Sequence, residues 1–546
     1  MPDNNITAIK RRLEKCKPSK SNPIYDSHIY WSQKAFNVTD ILLQELSSTG
    51  DTIFDPFMGS GVTIIQSVSD QAKRNAIGID INEVPIFIVR NVIGHKDSKK
   101  VIKIIKEFVE EAHREFDNIY YSNFNGEKGT ITSVIFDIKE QKLAIKNIKG
   151  RYNSSLKKCS KKPDADDYDS ISRSRKISNI NDYELIPDSK LAVRKGEHIS
   201  EIFTPRNFYV LDCLIGLSKK ECYKIAKEEI RYILLSMIHL CKITDLHSNS
   251  QWPLWIPFKD CVEKNVLSIL DRRSSLTIES IKFASLKYKN ATEVSNPIKF
   301  KGSSNFCLIE KGIQDVTKED VPDNSVDLII TDPPYLGQVA YSEYMQLYEP
   351  FLGFSINFKD EIVVSSSPER KKNTSTYFNL MDSAFSICSQ KLKSGHYMCM
   401  YFHDCKLSVW DSLISSLSKN GFRFLTQVHI SKSLTIKNII SPKKSMNGDA
   451  LLFFVKENLI KKEKPGKETM ENIVANVIAE AKHMIIEHGG SLSTPELYDD
   501  GLMEFIIHNG WLHSLSLHYD SLVDLFERFF IWDEKDAKWS LSKLKK

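Results

Sequence analysis

Phe54-Asp55-Pro56-Phe57-Met58-Gly59-Ser60-Gly61-Val62-Thr63 decides the fold. It leaves a short apolar run at 52–54 and enters an apolar stretch at 64–69, so a strand passes through a glycine-rich turn into a helix. In that geometry a ligand meets bare backbone at a helix N-terminus. Farther on, Ala76-Ile77-Gly78-Ile79-Asp80 reads as the next strand, ending in an acid placed for a ribose diol. The glycines do not spell the Gly-x-Gly-x-x-Gly of dinucleotide sites, because only Gly59 and Gly61 are present. A nucleoside without phosphates fits this turn better. Taken alone, the turn is also an ordinary link between strand and helix.

A second motif narrows the reading. Thr331-Asp332-Pro333-Pro334-Tyr335 follows the apolar run 326–330. Prolines fix φ and carry no N–H, which stiffens the turn and leaves main-chain carbonyls without competing local donors. Such a corner suits an amine on a flat heterocycle: Asp332 and a prolyl carbonyl each accept one N–H while Tyr335 stacks on the ring. By itself this motif reads equally as a tight strand-ending turn.

Together the motifs resemble the amino-group DNA methyltransferases, which use S-adenosylmethionine and methylate adenine N6 or cytosine N4. The closer resemblance is to a bacterial and archaeal group with an N-terminal His-x-Tyr-Trp segment, here His28-Ile29-Tyr30-Trp31-Ser32-Gln33-Lys34-Ala35-Phe36-Asn37. Similarity runs through residues 79–82, 203–207, 255–257, 265–267 and 321–327 to about residue 457. The resemblance implies an α/β fold, a Rossmann-like seven-stranded methyltransferase sheet with an antiparallel last strand. It implies S-adenosylmethionine at Tyr30, Asp55, Pro56, Phe57, Gly59, Ser60, Gly61, Asp80, Asn82 and Asp315, with Asp332, Pro333, Pro334 and Tyr335 catalytic. The implied substrate is double-stranded DNA with a flipped target base, and a cognate restriction or defence subunit is an open partner. Aspartate at the first position resembles the adenine N6 enzymes, whereas serine is commoner among cytosine N4 enzymes. Cytosine N4 methylation, an RNA N-methyltransferase, a small-molecule or protein N-methylase and a catalytically silent DNA-binding subunit stay open as alternatives. No cysteine is placed for covalent C5-cytosine chemistry.

Composition sets the frame. A chain of 546 residues with 41% hydrophobic content holds a large α/β domain plus one or two modules. No apolar run is long enough to span a bilayer, and Met1-Pro2-Asp3-Asn4-Asn5 lacks an export signal, so no membrane role is expected. Ten cysteines without a Cys-x-x-Cys pair read as free thiols in a reducing cytoplasm. Relatives often carry a cysteine-rich zinc ribbon in the insertion, but Cys159 stands alone among lysines, so no metal site is expected. The net charge of +5 means that DNA affinity must come from local clustering.

Residues 1–24 read as a basic arm; 25–120 and 300–460 form the catalytic domain; 121–299 is a large, mostly helical insertion. Within it, 131–136 and 143–148 alternate as a small hairpin. Residues 149–188 are rich in Lys, Ser, Asp and Asn and read as a flexible loop. There Lys157, Lys158, Lys161, Lys162, Arg173, Arg175 and Lys176 are candidate phosphate contacts, unless Asp164, Asp166, Asp167 and Asp169 simply balance them. His239 is expected to be packed, and the aromatic stretch 252–257 is either a stacking wedge or a buried loop. A charged linker at 461–467 precedes 468–546, where three helices and a short ribbon suggest a separable winged-helix-like module. The insertion is the first candidate for target recognition, and this module is the second.

Overall fold

A computed structural model describes residues 2–94, 98–139, 142–172, 182–187, 193–246, 260–336, 340–365, 370–431, 448–457 and 468–541, with isolated positions between them. Among these, eight strands form one central sheet. Their order is Phe422–Ile430, Asp449–Lys456, Leu392–Phe402, Val326–Thr331, Thr52–Asp55, Asn75–Asp80, Asn305–Glu310 and Thr292–Glu293. The Asp449–Lys456 strand is antiparallel to both neighbours, and the other pairings are parallel. The expected count was seven. The difference is the two-residue edge strand Thr292–Glu293, too short to show as a periodic segment.

The strands are apolar throughout because both faces are covered. On one face Ile53, Leu328, Ile330, Leu451 and Phe453 pack under helices Pro2–Glu14 and Phe36–Leu46. Phe54, Ile329, Met398 and Phe454 point the other way, toward helices Thr374–Lys391 and Leu407–Lys419. Adjacent residues on one strand thus serve opposite layers. The first 24 residues are not an arm: Ile9 and Leu13 are buried against the sheet, and Ser19 pairs with Asn37.

The insertion carries helices Pro205–Ser218, Lys227–Cys241 and Val266–Lys287, but it is not helical alone. It contains an antiparallel sheet in which Glu127–Lys139 pairs with Lys142–Tyr152, as the hairpin pattern predicts. That sheet extends through Lys158–Lys161, with helix Ala165–Ser172 following, inside the segment expected to be a flexible loop. The signal is weak there because one face of the ribbon is polar, so few large apolar residues are needed. Residues 173–179, 181 and 188 lie outside the described residues, as do Trp252, Pro253 and Ile256. His239 is packed as expected, edge-on to Trp31, and burial pushes its imidazole down to about 3.

Residues 468–541 begin with helix Met470–Glu487 and end in the ribbon Phe530–Asp533 with Lys538–Leu541, which adds Ser491–Leu492 as a third strand. The unit is not separable in packing. Helix Leu512–Ser516 lies on helix Leu407–Lys419, and the Tyr498–Leu502 turn lies on strand Phe422–Ile430. Their side chains share one hydrophobic core.

Candidate active site

Register brings the two sequence motifs together. Phe54 pairs with Ile329 and Asp55 with Gly78, so the carboxyl ends of three neighbouring parallel strands stop at one edge. Ligands of open α/β sheets bind in the crevice beyond such an edge. Here it opens as a cleft of about 950 Å³, counted to its mouth.

The glycine turn forms its floor. Met58 N–H donates to the Ile79 carbonyl at 2.9 Å, and Gly59 N–H donates to Asp80 Oδ2 at 3.0 Å, tying the turn to the second strand. Gly59 has φ +50°, and a Cβ there would sit 3.1 Å from the Tyr30 ring, so the backbone stays bare beneath that aromatic. Gly61, with φ +75°, serves packing: a Cβ would come within 2.0 Å of Val89, and the residue does not line the cleft. Its glycine lets the helix at Val62–Ser67 start hard against Glu83–Ile93.

Asp55, Pro56, Phe57, Gly59, Ser60, Asp80, Asn82 and Tyr30 all line the cleft. Asp55 Oδ1 accepts the Thr331 hydroxyl at 2.9 Å, and Asp80 Oδ1 accepts Asn82 N–H at 3.0 Å. Burial pushes both carboxyls up to about 7. Asn82 reaches the cleft wall, but its side-chain amide is committed to a loop: its Oδ1 accepts Asn357 N–H and its Nδ2 donates to Ser342. That loop carries Glu361 to the cleft, held from behind by Arg370, which also binds the fully buried Glu343.

Asp315 is a correction. It is exposed and does not line the cleft; Ile313 and Gln314 do. The single 3-10 turn Ile313–Asp315 advances about 120° per residue, which carries the third side chain outward.

At the Asp-Pro-Pro-Tyr corner, Asp332 and Pro334 line the cleft, whereas Pro333 is buried and Tyr335 is turned aside. The Tyr335 hydroxyl donates to Asp332 Oδ1, and its ring sits among Phe402 and His403, so it is not presented as a stacking face. Tyr30 and Tyr341, stacked at 5.8 Å, line the cleft instead, together with Trp31, Phe57 and Tyr401. The Pro334 carbonyl accepts the Tyr377 hydroxyl at 2.7 Å, which fixes the corner's height.

Sequence reasoning passed over Lys34, Tyr341, Tyr377, Glu361, Tyr401 and Asp449. Lys34 lies within the quoted His28–Asn37 segment, but nothing in spacing says where its ammonium goes. The cleft walls carry Asp55, Asp80, Asp332, Asp360 and Glu361 against Lys34 and Lys311. Such an acidic lining favours a cationic ligand with hydroxyls to donate. Among the described residues no group of His, Cys, Asp and Glu has metal-site geometry, and no helix is long and apolar enough to cross a membrane.

Fold and site together define a mixed α/β protein with a glycine-floored cleft beside an Asp-Pro-Pro-Tyr corner. A family model for N6/N4 DNA methylases matches residues 8–91. A Type II methyltransferase, M.MjaII of Methanocaldococcus jannaschii, is 24% identical over 357 residues, covering 61% of this chain and 63% of that protein. TTHA0409 of Thermus thermophilus, a candidate DNA modification methylase solved twice, superposes with TM-score 0.14 at 15% and 16% identity. Those superpositions cover 30% of this chain and 56% and 58% of the solved chains. The chain is thus similar to N6/N4 DNA methylases over its N-terminal part and, more distantly, to a Type II methyltransferase of which it spans less than two thirds. Members of this family conventionally use S-adenosylmethionine.

Proposed function

We propose that the protein transfers a methyl group from S-adenosylmethionine to the exocyclic N6 of adenine in double-stranded DNA. The observation that carries this reading is one cleft holding both Asp80 beside bare Gly59 and the Asp332–Pro334 corner. The residues fit the cofactor: Asp80 for the ribose diol, Gly59 for close backbone approach, and an acidic lining for the sulfonium. When bound, S-adenosylmethionine supplies an electrophilic methyl already activated by its sulfonium. The protein's share is positioning. Adenine's amine is a weak nucleophile because its lone pair is delocalised into the ring; acceptors on both N–H groups, Asp332 and a prolyl carbonyl, localise density on nitrogen. The base must leave the helix stack, at a cost of a few kcal/mol, for Asp332 to reach it.

Tritiated methyl transfer to DNA, RNA and protein, followed by nucleoside analysis, tests this reading. N6-methyladenine is the expected product. N4-methylcytosine would reverse the base assignment, and label on RNA or protein alone would overturn DNA as substrate.

Asp80→Ala should weaken cofactor binding about ten- to a hundredfold, since charge-assisted bonds to the diol contribute roughly 1.5–3 kcal/mol. The same residue gives a pH signature. With its carboxyl near 7 in the free protein, Asp80 must lose a proton to accept the diol. Affinity should therefore be flat above about pH 7 and fall below it, by up to about tenfold per pH unit. Calorimetry across pH 6 to 8 checks this sign; a flat profile would remove Asp80 from the site.

We further infer that the insertion grips DNA, within a restriction-modification or phage-defence role in the cytoplasm. On its ribbon, Arg151 faces Lys158 across the strand pair and Lys149 stands two residues along, all exposed. Lys161, by contrast, is spent on Asp164 and Asp167. Replacing Lys149, Arg151 and Lys158 by glutamine should flatten the salt dependence of DNA affinity by about 0.9 in slope per lost phosphate contact. An unchanged slope would clear the ribbon of this role. The winged-helix-like reading of 468–546 supports DNA contact, with protein docking close behind.

A further inference from the structure

Three segments far apart in the chain meet at the Lys34 ammonium. It lies 3.0 Å from Asp332 Oδ1, 2.8 Å from Asp449 Oδ2 and 3.2 Å from the Tyr335 hydroxyl, with the Tyr401 ring 4.9 Å away. Asp449 is 1% exposed, Lys34 9% and Asp332 20%, so the ion cluster runs from the protein interior up to the cleft. Burying an ammonium is expensive, and apolar residues usually do as well where only stability is at stake. A buried ammonium that ends on the motif's aspartate therefore calls for a role.

Asp332 is asymmetric as a result. Its Oδ1 is taken twice, by Lys34 and by the Tyr335 hydroxyl. Among the described residues nothing bonds to Oδ2, although Asp332 lines the cleft. We propose that Lys34, anchored by Asp449, is the positioning residue that holds Asp332 ionised and turned so that Oδ2 alone accepts an N–H of the target amine. This rests on the function proposed above. In the transfer the sulfonium's S–C bond breaks with its electron pair left on sulfur, and an N–C bond forms from the amine's lone pair. The nitrogen then sheds one proton, which Oδ2 takes and passes to solvent.

The electrostatics agree with the geometry. Burial pushes Asp332 up, Lys34 pulls it back and Asp449 pushes it up again, leaving it above the usual range. Burial would lower Lys34, but Asp332 and Asp449 outweigh it and hold the ammonium above the ordinary lysine value. The other titratable groups around Asp332 are Asp55 on the neighbouring strand, Tyr335 and Tyr341 on its own segment, and Tyr30 and Tyr401. His403 stands 3.9 Å behind Asp449.

Three variants separate this role from mere support. Lys34→Met removes the cation, so the Asp332 midpoint should rise by about one to three pH units, moving the acid limb of kcat with it. Asp449→Asn removes the competing anion and should move both readouts down. Lys34→Arg keeps the charge and should hold the midpoint within about half a unit, even where the bulkier group lowers kcat. The midpoint is read in the full-length protein by carbon-13 NMR of labelled aspartate carboxyls, assigned with Asp332→Asn. Opposite shifts in the first two variants, with cofactor affinity kept within a few-fold, are the expected result. Shifts of the same sign, or none, would overturn the proposal. A wild-type protein that methylates nothing would sink the functional reading instead, and the carboxyl titration would judge Lys34 regardless.

Discussion

Replacing Asp332 by alanine should all but abolish methyl transfer, by about a hundred- to a thousandfold, while leaving cofactor affinity within a few-fold. The magnitude follows that of other preorganised groups aimed at charge developing in a transition state, where one deletion costs about 10²–10³ in rate. The selectivity follows from the cleft's layout. On that reading Asp332 faces the amine from the Val326–Thr331 strand end, whereas Asp80 ends the second strand over and Gly59 lies in the turn after Thr52–Asp55. Removing Asp332 leaves the Asp80–Gly59 bond and the Asp55–Thr331 bond intact. It also leaves Lys34 paired with Asp449, so the variant should fold. Purified protein that binds cofactor normally in calorimetry but turns over at near wild-type rate would sink the assignment.

Much of this site is legible in the sequence because it is local. A strand, a glycine turn and a helix start are written in ten consecutive residues, and parallel pairing then leaves one place where Asp55, Asp80 and Asp332 can meet. Asp315 shows the limit. Its distance from the strand end was right, but a single tight turn decided which side chain faced inward, and no periodicity encodes a rotation of one residue. Lys34, Tyr377 and Asp449 lay beyond reach for another reason: each acts through a tertiary contact spanning tens to hundreds of residues. The sequence points to the Tyr335 ring, yet its hydroxyl on Asp332 and its packing on Phe402 give it a bracing part. The N-terminal segment misled because its composition is basic while its few apolar residues, Ile6, Ile9 and Leu13, fall on one helical face.

Deleting residues 468–546 should yield insoluble or unfolded protein, although the charged stretch at 461–467 reads as a domain boundary. The central sheet is complete without them, but its outer layer is not. Trp410, Leu413, Leu417 and Phe424 are buried in the core shared with Leu512, Leu515 and Tyr498. Re-exposing each large apolar side chain costs about 1.5–3 kcal/mol, and a few of them exhaust the roughly 5–15 kcal/mol by which a domain is stable. Polar ties cross the same seam. Gln427 Nε2 donates to the buried Tyr498 carbonyl at 2.6 Å, His429 pairs with Asp499 at 2.8 Å, and the Leu407 N–H donates to the Asp520 carbonyl at 2.9 Å. Losing one partner of such a buried pair strands the other. Even the N-terminal helix takes part, through Lys10 and Glu504 at 3.2 Å. Soluble yield and thermal unfolding of the truncated chain are the measurements. A monomeric truncation unfolding within a few degrees of the full protein would show that the shared core contributes little. The expected failure also decides how sequence reading must be located, since truncation removes a structural layer together with any DNA contact. Point changes on exposed faces, the Lys149–Arg151–Lys158 ribbon on one side and Lys535 and Arg528 on the other, separate the two roles without opening the core.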